Sequence, residues 1–191
     1  MIKEKNVITH EQVKEQVSDI IKNKKHYLHI YLNSLDIEFI TDELIEMCID
    51  AGIENMLPFI KNQTEEICIK AVRNYPRDLL CVQHQTYNIC MATAESATYD
   101  SGYLLGAVIN QTPDICKKFI EKDPKAIAYM RVQTPEACKL AVELDSCVLC
   151  YIRNQTEDIC LTGISKYQFV IRYARKITDK LKDCLKFPIQ I

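Results

Sequence analysis

The sequence predicts an all-α protein: an α-solenoid of two-helix repeats, each about 22 residues long, behind an N-terminal capping helix. Three observations lead there. The first is a phrase, Gln-Thr with a cysteine four residues after the threonine, that occurs at Gln63-Thr64 with Cys68, Gln85-Thr86 with Cys90, Gln111-Thr112 with Cys116, Gln133-Thr134 with Cys138 and Gln155-Thr156 with Cys160. The cysteines lie 22, 26, 22 and 22 residues apart. The second is apolar periodicity: three, four, seven and eight residues after each threonine stand sets such as Ile67, Cys68, Ala71, Val72 and Ile115, Cys116, Phe119, Ile120. That spacing follows a helix, not a strand. The third is a second start signal about a dozen residues after the threonine, Tyr75-Pro76, Asp123-Pro124 and Asp145-Ser146.

Residues 9 to 25 place Val13, Val17, Ile20 and Ile21 on one face of an amphipathic helix, expected to cap the array within residues 1–36. The repeat domain is expected over residues 37–191. An entry repeat begins at Thr41, followed by Leu44, Ile45, Cys48 and Ile49. The clear repeats cover residues 59–175. In each, threonine can accept a backbone N–H bond, proline suits the first helical position, and carboxylates meet the positive end of the helix dipole. The second helix turns in pairs three residues apart: Leu79 and Val82, Ile127 and Met130, Leu149 and Ile152, Ile171 and Ala174. Helices of about ten and seven residues follow, too short to persist alone. A polar cap closes the array over residues 176–191, where Thr178 precedes Leu181 and Leu185.

Four extra residues fall between Cys90 and Cys116, and must loop out or lengthen a helix. Glu95, Thr98, Tyr99, Asp100 and Tyr103 in this stretch are candidate partner-binding residues.

The 191 residues are 48% apolar and 26% charged, the balance of a folded soluble protein. The polar start and the lack of an apolar run of about 18 residues predict a cytoplasmic chain without a membrane span. Ten cysteines are then expected as thiols, five of them in the core, and the sequons at Asn62, Asn110 and Asn154 as unmodified. Net charge is −2, distributed as −5 over residues 1–58, −2 over 59–160 and +5 over 161–191.

Catalytic and metal motifs give little. Cys147-Val148-Leu149-Cys150 has zinc or redox spacing, but a second pair is missing and the four residues are read as core packing. His26 and His29 lack a third ligand in sequence and are read as surface or packing residues. Four glycines, Gly52, Gly102, Gly106 and Gly163, form no phosphate loop. No enzymatic function, cofactor or metal is expected. The recurring glutamines are expected to bond each other or the backbone of the next turn, with the reading of a bound peptide as the alternative. Basic residues recur three places before the threonine at Lys61, Arg131, Arg153 and Arg175, where they complement a helix end. Arg131, Arg153, Arg172, Arg175, Lys176, Lys180 and Lys182 are candidate anion-binding residues, with Lys186 beyond them.

The run Asn62-Gln63-Thr64-Glu65-Glu66-Ile67-Cys68-Ile69-Lys70-Ala71-Val72, with its echoes at 110–120 and 154–164, resembles a short helical repeat family of unassigned function. That family occurs in tandem in proteins of giant viruses of amoebae and of intracellular bacteria. His84, Tyr87 and the insertion depart from its pattern. The resemblance implies a viral or pathogen origin and no activity.

The expectation is therefore a non-enzymatic adaptor, cytoplasmic or carried in a virion, that binds a host or viral protein. Self-assembly through oppositely charged ends is the alternative. Nucleic acid held by the basic C-terminal end is a second, disfavoured by the acidic balance.

Overall fold

The computed structural model describes residues 8–23 and 25–185. Among them the chain is all-α, with helices and turns and no strand. It forms two compact units, Met1–His84 and Gln85–Ile191. Lys186 lies outside the described residues.

In the first unit, α1 (His10–Asn23) starts with a reciprocal capping box. Thr9 donates its N–H to Gln12 Oε1 at 2.9 Å, and Gln12 donates its own to Thr9 Oγ1 at 3.3 Å. Val13 and Val17 are fully buried, while Ile20 and Ile21 are half-buried. A 3₁₀ turn, Lys25–Tyr27, leads into α2 (Leu28–Ser34), which packs on α1. The sequence pattern does not reveal α2, because seven residues with one buried pair, Leu28 and Leu32, are too short to show a period. Then come α3 (Asp42–Asp50), a 3₁₀ turn Leu57–Phe59, α4 (Glu65–Asn74) and the 3₁₀ helix Pro76–Cys81.

The second unit repeats one plan. It contains α5 (Tyr87–Ser96) with 3₁₀ helix Gly102–Ala107, α6 (Pro113–Lys122) with Pro124–Tyr129, and α7 (Pro135–Leu144) with Ser146–Tyr151. After these follow α8 (Glu157–Lys166) with Gln168–Tyr173, and the short α9 (Asp179–Asp183). From α5 to α9 each α-helix packs on the next, and from Gly102–Ala107 to Gln168–Tyr173 so does each 3₁₀ helix.

The threonines act as expected. Thr41, Thr64, Thr86, Thr112, Thr134, Thr156 and Thr178 each accept the N–H three residues on, at 3.2 to 3.4 Å. The aspartates act likewise at the second helix. Asp123 Oδ1 accepts from Lys125 N at 3.0 Å and Asp145 Oδ1 from Cys147 N at 2.9 Å.

One expectation needs correction. The second helix of each repeat is a six-residue 3₁₀ helix, not a seven-residue α-helix. A single extended residue such as Asp123 (φ −143°) joins the two helices, so the chain must traverse the repeat's depth in six residues. At about 2.0 Å per residue a 3₁₀ helix covers more of that depth than an α-helix would. Three residues per turn also explain the inward pairs spaced by three. The sequence reading missed a further buried place, filled by Leu104, Ala126, Val148 and Val170 directly before Leu105, Ile127, Leu149 and Ile171.

The insertion loops out. α5 has ten residues, like α4, α6, α7 and α8, and the extra chain lies between Ser96 and Gly102. There Ala97 is buried, and Thr98 and Ser101 share a hydroxyl hydrogen bond of 2.9 Å.

Candidate functional site

The glutamines bond to backbone, not to one another. Gln133 Nε2 donates to Ile127 O at 2.8 Å in its own repeat and to Tyr151 O at 2.9 Å in the next, while its Oε1 accepts Arg153 N at 2.7 Å. Gln63, Gln111 and Gln155 repeat the same three bonds with carbonyls 6 residues before and 18 after, and an N–H 20 after. Gln85 spans the insertion, reaching Ala107 O at 3.0 Å and Ile109 N at 2.9 Å. In Gln63, Gln111, Gln133 and Gln155 both Nε2 protons are thus engaged within the fold, which leaves these amides no N–H to donate to a bound peptide.

The arginines also cross between repeats. Arg131 Nη1 donates to Ile109 O at 2.7 Å, Arg153 Nη1 to Arg131 O at 2.9 Å and Arg175 Nη1 to Arg153 O at 2.7 Å. Arg153 adds Nη2 to Met130 O at 2.7 Å. The Nη1 partners stand two residues beyond the preceding repeat's 3₁₀ helix, not at the end of the arginine's own. A guanidinium has five N–H donors, so each remains a charged donor at the surface.

Beside the arginines run tyrosines that sequence reasoning did not single out. Tyr129, Tyr151 and Tyr173 end three successive 3₁₀ helices and are 46%, 45% and 39% exposed. The residues after them, Met130, Ile152 and Ala174, have extended backbone (φ −67°, −75° and −71°) and turn inward. Tyrosine and arginine at either side of an extended residue leave on the same, outward side. The signal was legible as Tyr-x-Arg, three times at a 22-residue interval.

All five candidate partner-binding residues, Glu95, Thr98, Tyr99, Asp100 and Tyr103, are exposed. Lys125 Nζ lies 4.8 Å from the centre of the Tyr99 ring, which joins the loop to the neighbouring 3₁₀ helix. The candidate anion-binding residues do not act as one cluster. Lys180 pairs with Glu157 at 3.5 Å and Lys182 with Asp179 at 3.0 Å, whereas Arg172 lies over the Tyr173 ring at 5.9 Å. Lys176 is exposed.

Nine of the ten cysteines are of two kinds, buried or exposed, and Cys81 is half-buried. Cys48, Cys68, Cys90, Cys116, Cys138 and Cys160 are buried and free; burial pushes all their thiols up, Cys48 to about 11. Cys68 and Cys90 donate to the Oε1 of Gln63 and Gln85 at 3.6 Å. Cys147 and Cys150 overturn the core-packing reading: both are exposed, and Val148 and Leu149 between them are buried. Residues three apart eclipse on a 3₁₀ helix, so when the middle pair faces inward the outer pair faces solvent. Partial desolvation and then Asp145 push the Cys147 thiol up; Cys150 Sγ donates to Cys147 O at 3.2 Å.

His26 and His29 fall on different elements. His26 stacks on Tyr27 at 4.2 Å, and His29 in α2 faces Phe59 at 6.5 Å. No three His, Cys, Asp or Glu side chains among the described residues are grouped to hold a metal ion. No described helix is long and apolar enough to cross a membrane.

One buried carboxyl escaped the sequence reading. Asp78 takes the place that other repeats give to Leu104, Ala126, Val148 and Val170, and is fully buried. Its oxygens accept Asn55 N at 3.0 and 3.3 Å, in a turn where Asn55 has φ 58°. Burial raises its pKa to about 6, with the Asn55 bond opposing.

Against known families, curated proteins and solved structures the chain shows no significant match.

Proposed function

We propose that the chain is a non-enzymatic α-solenoid that binds a protein partner through the outer side of its 3₁₀ helices in the second unit. The observation that carries this is the row Tyr129-Met130-Arg131, Tyr151-Ile152-Arg153 and Tyr173-Ala174-Arg175, three outward Tyr and Arg pairs on successive packed helices. Tyrosine and arginine are the residues enriched at the energetic centre of protein interfaces. Because each arginine is anchored to the preceding repeat, less side-chain freedom is lost on binding. The insertion loop, joined to the 3₁₀ helix Pro124–Tyr129 by the contact of Tyr99 with Lys125, would extend the contact.

The chain would then be an adaptor of viral or intracellular-pathogen origin, working in a reducing cytoplasm that suits its buried thiols. The ion pairs of Lys180 and Lys182 speak against a nucleic-acid site at the C-terminal end. Capture with tagged protein, with nuclease present, from a lysate of the cells in which it is made tests the reading. A stoichiometric protein lost on Tyr151→Ser with Tyr173→Ser is expected. Recovery of the bait alone, or a complex indifferent to these changes and to loop substitutions, rejects it.

A further inference from the structure

We propose that Cys147 and Cys150 form a site for a soft, two-coordinate metal ion, Cu(I), on the solvent side of the 3₁₀ helix Ser146–Tyr151. This inference goes beyond the protein-binding reading and does not depend on it. Both thiols are exposed and free, while Val148 and Leu149 between them are buried and hold the helix against its neighbours. Packing does not call for the pair: the same two places hold Lys125 and Ala128 in the repeat before, and Phe169 and Arg172 in the repeat after. The helix is fixed at both ends, by Asp145 Oδ1 accepting Cys147 N at 2.9 Å and by Gln133 Nε2 donating to Tyr151 O at 2.9 Å. Two sulfurs on such a frame are positioned before an ion arrives.

The type of helix selects the ion. With three residues per turn and a rise of about 2.0 Å, residues three apart on a 3₁₀ helix differ by a shift of about 6 Å along the axis and by no rotation. The Cβ atoms of Cys147 and Cys150 are therefore separated by about the same 6 Å. A disulfide needs about 3.8 Å between Cβ atoms, so closing one would compress the turn. A metal–thiolate bond is about 2.3 Å, so two in line hold their sulfurs about 4.6 Å apart, and each sulfur has only to lean about 0.7 Å towards the other. Cys150 Sγ already lies over the turn of Cys147, donating to its O at 3.2 Å. Structural zinc and iron–sulfur centres take four ligands, and among the described residues no group of three His, Cys, Asp or Glu could hold a metal. Cu(I) is a soft ion that thiolates select, and two of them in line complete its coordination. Binding replaces two thiol protons, which pass to solvent, by one Cu(I) and leaves a single negative charge. Arg172 on the next 3₁₀ helix favours that charge at Cys147, and Asp145 opposes it.

The test is a titration of the full chain, without oxygen, against Cu(I) held by the coloured chelator bicinchoninate. Wild type is expected to withdraw about one Cu(I) per chain, and Cys147→Ser or Cys150→Ser to weaken that binding by about tenfold or more, with circular dichroism and Tm unchanged. Cys184→Ser, which alters the other exposed thiol, should bind as wild type does. No withdrawal of Cu(I) by wild type overturns the proposal. Retention of the ion when both Cys147→Ser and Cys150→Ser are introduced, or its loss with Cys184→Ser, places the copper elsewhere and also overturns it. A copper-dependent doubling of mass in size-exclusion chromatography would assign the ion to a contact between two chains, against the proposal. Displacement of Cu(I) by an equal concentration of Zn(II) would assign the pair to a four-coordinate ion and overturn the Cu(I) assignment.

Discussion

The amide of Gln133 and the backbone of Arg153, 20 residues later, form one closed clasp: Gln133 accepts the Arg153 N–H at 2.7 Å and donates to Tyr151 O at 2.9 Å, straddling the buried Ile152. A side chain just outside its own helix thereby fixes the exit of the following repeat's 3₁₀ helix. The same clasp holds Tyr151 and Arg153 in place, so inter-repeat cohesion and the proposed binding surface depend on one residue type.

Replacing Gln133 with alanine removes three bonds to backbone groups at once. Partial access of water lessens the loss, and the expected destabilisation is about 2 kcal/mol. Gln133→Glu keeps the acceptor for Arg153 but sets a carboxylate against the carbonyls of Ile127 and Tyr151, and should cost at least as much. Urea unfolding measures both, and midpoints equal to wild type would mean that the clasp contributes nothing.

Gly102 makes the closest approach at the end of the insertion loop. It donates its N–H to Asp123 Oδ2 at 2.9 Å, and an added Cβ would meet that oxygen at 2.5 Å and the Ala126 N at 2.9 Å. Gly102→Ala should therefore destabilise by about 2–3 kcal/mol through forced displacement of Asp123 or of the 3₁₀ helix behind it. A thermal scan reads the change, and an unchanged Tm would show that the loop absorbs the methyl group.

Asp78 gives stability a dependence on pH. Its folded pKa of about 6 lies above the ordinary 3.8, because burial disfavours the carboxylate. The folded state then binds the proton more tightly than the unfolded state. Its contribution is greatest below about pH 4, falls as pH rises to about 6, and is level above, a loss of roughly 3 kcal/mol. Asp78→Asn keeps an acceptor for Asn55 N–H and carries no charge. Relative to wild type it should gain stability as pH rises from 4 to 6, measured by urea unfolding across that range; parallel curves would contradict the assignment.

Nine of the ten thiols should react in two classes, with half-buried Cys81 between them. Cys147, Cys150 and Cys184 are exposed and should be labelled by maleimide in the folded protein. Cys48, Cys68, Cys90, Cys116, Cys138 and Cys160 are buried and should react only as the chain opens, in step with denaturant. Peptide mapping after a short pulse distinguishes the classes, and early labelling at the six buried positions would contradict the packing.

Much of the fold was legible because its signals are local. A threonine that caps the N–H three residues on needs nothing beyond its own turn, and Thr41 and Thr178, which head the two weakest repeats, do so like the rest. α2 was not legible, since two leucines in seven residues define no period. The surface was half legible: the arginines were recognised at helix ends, but their carbonyl partners lie 22 residues back and the tyrosines passed unnoticed between them.

The sequence by itself determined where each α-helix except α2 starts, its ten-residue length in the clear repeats, the repeat period and the site of the insertion, because capping, dipole and apolar spacing act within a few residues. Tertiary structure alone decided that the glutamines clasp the next repeat, that Cys147 and Cys150 face solvent and that Asp78 is enclosed. Those outcomes depend on which side of a 3₁₀ helix meets its neighbour, and only the packing of one repeat on the next selects that side.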